Sequence, residues 1–102
     1  MHVELHEDAI LELAEASDWY EARRPGLGED FEREVWKTVS RIGSLPLAWA
    51  PWRFDPTFRF ARVKRFPYML PYMIEGSEAL VLAVAHERRR SGYWLKRSTR
   101  SP

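Results

Sequence analysis

The chain has 102 residues, 45% hydrophobic and 30% charged, and no cysteine. That length supports one core and not two, so residues 1–102 are expected to form a single domain. Disulfides and thiolate metal sites are excluded, no run reaches the ~20 apolar residues of a membrane span, and the acidic start MHVELHEDA lacks the apolar stretch of a secretory signal. A cytoplasmic protein is the expectation.

The net charge of +1 conceals a division. Residues 1–51 hold 11 Asp/Glu and 5 Lys/Arg, whereas residues 52–102 hold 4 and 11. The second half therefore carries a positive field able to attract phosphate or an acidic partner.

His2–His6 alternates, with Val3 and Leu5 on one side and His2, Glu4 and His6 on the other, which is the period of a half-buried strand. No second shell supports a metal at the two histidines, so they are read as solvent-facing, with no metal and no cofactor expected. Glu7–Arg23 reads as a helix with its apolar stripe on Ile10, Leu13, Ala14, Ser17 and Tyr20, widened by Ala9 and Ala16. Acids in the first turn and arginines at the end suit the helix dipole. Pro25-Gly26 stops it. A second helix runs from about Leu27 to Ser44 on the stripe Leu27, Phe31, Val35, Val39 and Ile42, with Trp36 at its margin. So short a connection makes an antiparallel hairpin, and a sheet is the natural cover for its two stripes.

Leu45–Pro56 has three prolines and two tryptophans and reads as a loop. Trp49 and Trp52 are expected to lid the core; were they exposed, they would be natural anchors for a partner. Phe58–Lys64 alternates, with Phe58, Phe60, Arg62 and Lys64 on one face and Arg59, Ala61 and Val63 on the other. Tyr68–Ile74 places Tyr68, Leu70, Tyr72 and Ile74 opposite Met69, Pro71 and Met73. Pro71 cannot donate to a ladder, so an edge or a bulge is expected there. After the turn at Glu75–Glu78, Ala79–Ala85 is an unbroken apolar run and reads as a strand buried on both faces. It exits through His86 into Glu87 and the arginines 88–90, then Tyr93 and Trp94, with Trp94 expected to anchor the tail. Residues 98–102 are expected to fray. The result is an α+β fold in the order β-α-α-β-β-β: a helical hairpin on a mainly antiparallel four-stranded sheet, with a basic C-terminal tail.

This order, and three segments in particular, resemble the RelE/ParE superfamily of toxins from bacterial type II toxin–antitoxin modules. WYEARRPGLGEDF is similar to the family's helix–turn–helix segment, RVKRFPYMLPYMIE to its arginine-to-FPY strand pair, and LAVAHERRRSGYWLKR to its last strand and tail. Pro71 departs from that pattern. The resemblance implies a toxin with a cognate antitoxin encoded nearby. It also implies one of two actions: ribosome-dependent mRNA cleavage, the expectation here, or the alternative of DNA gyrase inhibition without nuclease chemistry.

RNA cleavage by its own 2′-OH needs a base, an acid and fixed positive charge. By analogy with RelE-like sites, His86 would be acid or base, since a histidine changes charge near neutral pH. Arg62 and Arg89 would hold phosphate, and Tyr93 would stack on a base or donate a proton. Lys64, Arg65 and Arg88 would contact nucleic acid or another target. Arg89, three residues past His86, is expected to face the same space as His86, lined also by Arg62. The bland alternatives stand beside these: His86 as a strand end bonded to a neighbour, Arg88–Arg90 as a solvated run, and no evident second acid–base partner.

Overall fold

The computed structural model describes residues 1–99. In chain order it contains β1 (His2–Leu5), α1 (Glu7–Arg23), α2 (Leu27–Ser44), β2 (Pro51–Trp52), β3 (Asp55–Arg62), β4 (Tyr68–Glu75), β5 (Glu78–Val81), β6 (Ala85–His86) and a 3-10 turn, Leu95–Ser98. No helix among the described residues is long and apolar enough to cross a membrane. Ser98 closes the 3-10 turn, its Oγ donating to the Leu95 carbonyl at 2.7 Å; residues 100–102 of the expected frayed end lie outside the described residues.

Local chemistry sets the helix ends. His6 is the N-cap of α1: its Nδ1 accepts the Asp8 N–H at 3.0 Å, so it serves the helix. Gly26 turns the chain at φ 90°, a conformation that suits glycine. The two helices then meet closely at Gly28, where an added Cβ would fall 2.6 Å from the Ser17 carbonyl. The face α1 buries is Ala9, Leu13, Ala16 and Ser17. Ile10 and Ala14, expected in the stripe, point outward, and Ile10 is 53% exposed. α2 buries Phe31, Val35, Val39 and Ile42 as expected.

The sheet order is β1-β5-β4-β3-β2, with β6 beside β4 in line with β5. β1 runs parallel to β5, and the remaining pairs are antiparallel. The four-stranded expectation thus becomes six segments in a mixed sheet. Two residues of the proline-rich loop add an edge strand, and the last apolar run divides in two.

Pro71 explains the division. Its carbonyl accepts the Leu82 N–H at 2.8 Å, so its missing N–H lies on the same side, toward β5 and β6. Tyr72 pairs with Val81 and Met69 with Ala85. Leu70 and Pro71 therefore oppose three residues, Leu82, Ala83 and Val84: a bulge in the partner strand.

Both sheet faces are covered. The hairpin packs Ala9, Leu13, Phe31, Val35 and Ile42 against Ala61, Leu70, Tyr72 and Val81. On the far face the C-terminal tail folds back, and Trp94, 2% exposed, packs on Phe58, Leu80 and Ala85. Removing a buried indole of this kind costs about 3–5 kcal/mol. Trp49 packs on the first core and Trp52 on the second, both half-buried. They lid the core, and the exposed tryptophans are instead Trp19 and Trp36, 51% and 49% exposed.

Candidate functional site

The bulge frees backbone groups, and a single side chain collects them. The Val84 N–H donates to Glu12 Oε1 at 3.1 Å, from strand to helix. The Leu82 carbonyl accepts Arg97 Nη1 at 3.1 Å. Arg97 in turn grips Glu12 with both terminal nitrogens, Nη1 to Oε1 at 2.8 Å and Nη2 to Oε2 at 3.1 Å, and its Nε lies 3.6 Å from Asp8. This bidentate pair is the strong geometry for a guanidinium on a carboxylate. The Tyr93 hydroxyl adds a donated bond to Glu12 Oε2 at 2.8 Å, and Arg89 Nη1 stands 3.6 Å from the same oxygen. Glu12, its side chain 13% exposed, therefore ties the tail to α1.

This network decides what the tail residues can do. Burial pushes the Tyr93 phenol far above its ordinary value. The bond to Glu12 and that carboxylate's charge push the same way, and Arg89 and Arg97 offset only part. The phenol stays protonated with its hydrogen committed to Glu12, so it is neither a base nor a free donor. Arg89 lies over the Tyr93 ring at 3.7 Å, which fixes its guanidinium at the mouth of a cavity of about 490 Å³. Trp19, Tyr20 and Tyr68 form aromatic walls of that cavity, and His86 lines it too.

His86 ends β6, its ring edge-on to Tyr68 at 5.1 Å. Its Nδ1 accepts the Arg88 N–H at 3.1 Å, and its carbonyl accepts the Arg89 N–H at 2.9 Å. A tight turn, and not a helix, thus brings Arg89 back beside His86.

Arg62 is elsewhere. It is expected to line the space of His86 and Arg89, but its Nη1 pairs with Glu87 at 3.1 Å and it lines a second cavity. The reason is its strand face: Arg62 continues the side of Phe58 and Phe60, whereas Tyr68 beneath His86 belongs to the helix side. Lys64 and Arg65 line that second cavity as well. Arg65, at φ 71° in the β3–β4 turn, reaches Glu34 at 3.5 Å and Asp30 at 4.0 Å. Arg88 is exposed, and among the described residues its guanidinium has no carboxylate partner.

Glu12 is the residue that sequence reasoning missed, with Arg97 beside it. A signal was present. Position 12 falls on the buried face between Ala9, Leu13 and Ala16, and an acid on an apolar stripe needs a partner.

Residues 3–91 match the family model described as ParE toxin of type II toxin–antitoxin system, parDE. The chain belongs to the ParE toxin family. It is thus the toxin of a type II toxin–antitoxin system, and a cognate antitoxin is its implied partner. Among solved structures, a chain of the "Chromosomal ParDE TA system from P. aeruginosa" is similar at a TM-score of 0.73, with 19% identity over 84% of this chain and 95% of that one. At that identity the likeness is one of fold. No curated protein matches in sequence. The ParE family match contains Glu12, His86 and Arg89 and stops just short of Tyr93.

Proposed function

We propose that this ParE-family toxin arrests growth in the cytoplasm by binding DNA gyrase, without hydrolytic chemistry, and that its antitoxin holds it inactive. One observation carries the reading: three of the four groups nominated for RNA cleavage meet carboxylates of the same chain. Glu12 accepts the Tyr93 hydroxyl bond and faces Arg89, and Glu87 faces Arg62. Among the described residues no carboxylate is bonded to the His86 ring, although Glu15 lines the same cavity, so the joined acid and base that 2′-OH attack requires are not assembled there. A protein that works by surface binding needs no such pair; it needs a fixed, charged and aromatic surface, and the His86–Arg89 turn against Trp19 and Tyr68 supplies one.

The test is a supercoiling assay with purified protein, run beside a translation reaction whose mRNA ends are mapped. Inhibited supercoiling with intact mRNA is the expected result. Ribosome-dependent cuts with unaffected supercoiling would return the protein to the nuclease reading.

A further inference from the structure

A second cavity, of about 620 Å³, opens where the last turns of α2 meet the β3–β4 turn. Its rim carries four cations, Arg41, Arg62, Lys64 and Arg65. Its floor is apolar, made by buried Val63 and Phe66 with half-buried Trp49. It adjoins the first cavity at Pro67, which lines both, but does not share Glu12, His86 or Arg89 with it.

We propose that this cavity docks an acidic segment of a protein partner, with an apolar side chain against Trp49 and Phe66 and flanking carboxylates on Arg41 and Lys64. The rim itself shows what it takes. Glu87 already sits on Arg62 at 3.1 Å and Glu34 on Arg65 at 3.5 Å. Among the described residues, Arg41 and Lys64 have no carboxylate partner, so two cations stand open beside an apolar floor. Discrete carboxylates fit between them. Asp30, Glu34 and Glu87 stand among the same cations and repel any anion near them; a peptide can space its carboxylates to meet only Arg41 and Lys64, whereas a phosphate backbone carries a charge at every unit. An apolar floor with a charged rim is also the anatomy of a protein–protein contact. This surface adjoins the one read above as gyrase-directed but uses different charged residues, and it stands whichever target that surface has.

The experiment is fluorescence anisotropy of the full chain with a labelled peptide of about twelve residues in which Glu alternates with Leu and Phe. The comparisons are the same peptide with Lys for Glu, and an oligouridylate of equal length. The acidic peptide binds and the basic one does not. Arg41→Glu and Lys64→Glu each weaken binding about tenfold or more. Lys96→Glu makes the same charge change on the tail, outside the lining of this cavity, and alters binding less than about twofold. Lys64→Gln gives a smaller loss than Lys64→Glu at an unchanged melting temperature, which separates a lost contact from a lost fold. Tighter binding of the oligouridylate at the same residues overturns the ligand class. Wild-type binding by both charge reversals, or no peptide binding up to about 1 mM, overturns the site. Supercoiling inhibition by the same variants is a separate readout, so the two surfaces can fail independently.

Discussion

Replacing Glu12 by alanine should be the most damaging single change in α1 that touches no apolar contact. It removes one carboxylate, leaves the Val84 N–H and the Tyr93 hydroxyl without an acceptor, and leaves the Arg97 guanidinium with only the Leu82 carbonyl and the more distant Asp8. Breaking a buried pair by removing one partner costs about 3–5 kcal/mol, and an orphaned buried amide about 1–3 kcal/mol. The Arg97 side chain is 17% exposed and recovers some hydration, so a total of about 3 kcal/mol is expected. For a domain of this size that lowers the melting temperature by roughly 15 °C. Glu12→Gln keeps an acceptor and the shape, and should cost about half as much. The assays are thermal melts of both variants and amide exchange at Val84, which should lose protection in Glu12→Ala before the strands beside it do. In a double-mutant cycle, Arg97→Gln added to Glu12→Gln should cost much less than the two single losses combined. If Glu12→Ala melts within about 3 °C of wild type, or the two residues prove additive, the tail is not held in this way.

Three further outcomes are expected. Burial raises the pKa of Tyr20, Tyr68, Tyr72 and Tyr93 in the fold. The stability this implies is present below the unfolded value of about 10 and lost as pH rises through the folded values. Absorbance titration should therefore show no tyrosine ionising at its ordinary pH and a steep step on alkaline unfolding; a normal tyrosine counts against the packing described. Arg89→Ala should abolish growth inhibition while shifting stability by less than about 1 kcal/mol, since an exposed pair contributes little. Arg90→Ala should do much less, and growth curves with melts would expose the reverse pattern. Gly28→Ala should destabilise the hairpin by about 1–3 kcal/mol, read from denaturant midpoints, because the new methyl meets the Ser17 carbonyl.

The helices were legible to the residue, Glu7–Arg23 and Leu27–Ser44, because end signals and dipole-matched charges are local. Strand faces in β3 and β4 were legible for the same reason: period-two alternation is written residue by residue. The bulge at Pro71 was also foreseeable, since a missing donor must appear somewhere in the ladder. Which flank of α1 turns inward was not. Ile10 and Ala9 are equally apolar neighbours, and only the position of the sheet selects Ala9. The separation of Arg62 from His86 needed the register of β4 against β6, which no spacing along the chain supplies. Glu12 joins Val84 and Arg97 across 72 and 85 residues, and contacts at that range leave only an indirect mark, an acid on an apolar face.

The pairing of β1 with β5 has a consequence for the order in which this toxin matures. His2–Leu5 finds its partner only in Glu78–Val81, and the helix that follows is fastened to residues still later in the chain. A nascent chain can form its helical hairpin early, because those contacts are local. Its first strand must wait, unpaired, until the chain has been made as far as Val81. The tail that carries Arg89 and Tyr93 closes later than β1, so the surface proposed above to meet the target is assembled only after the strands beneath it. A copy cut short by stalled translation leaves the ribosome without that surface.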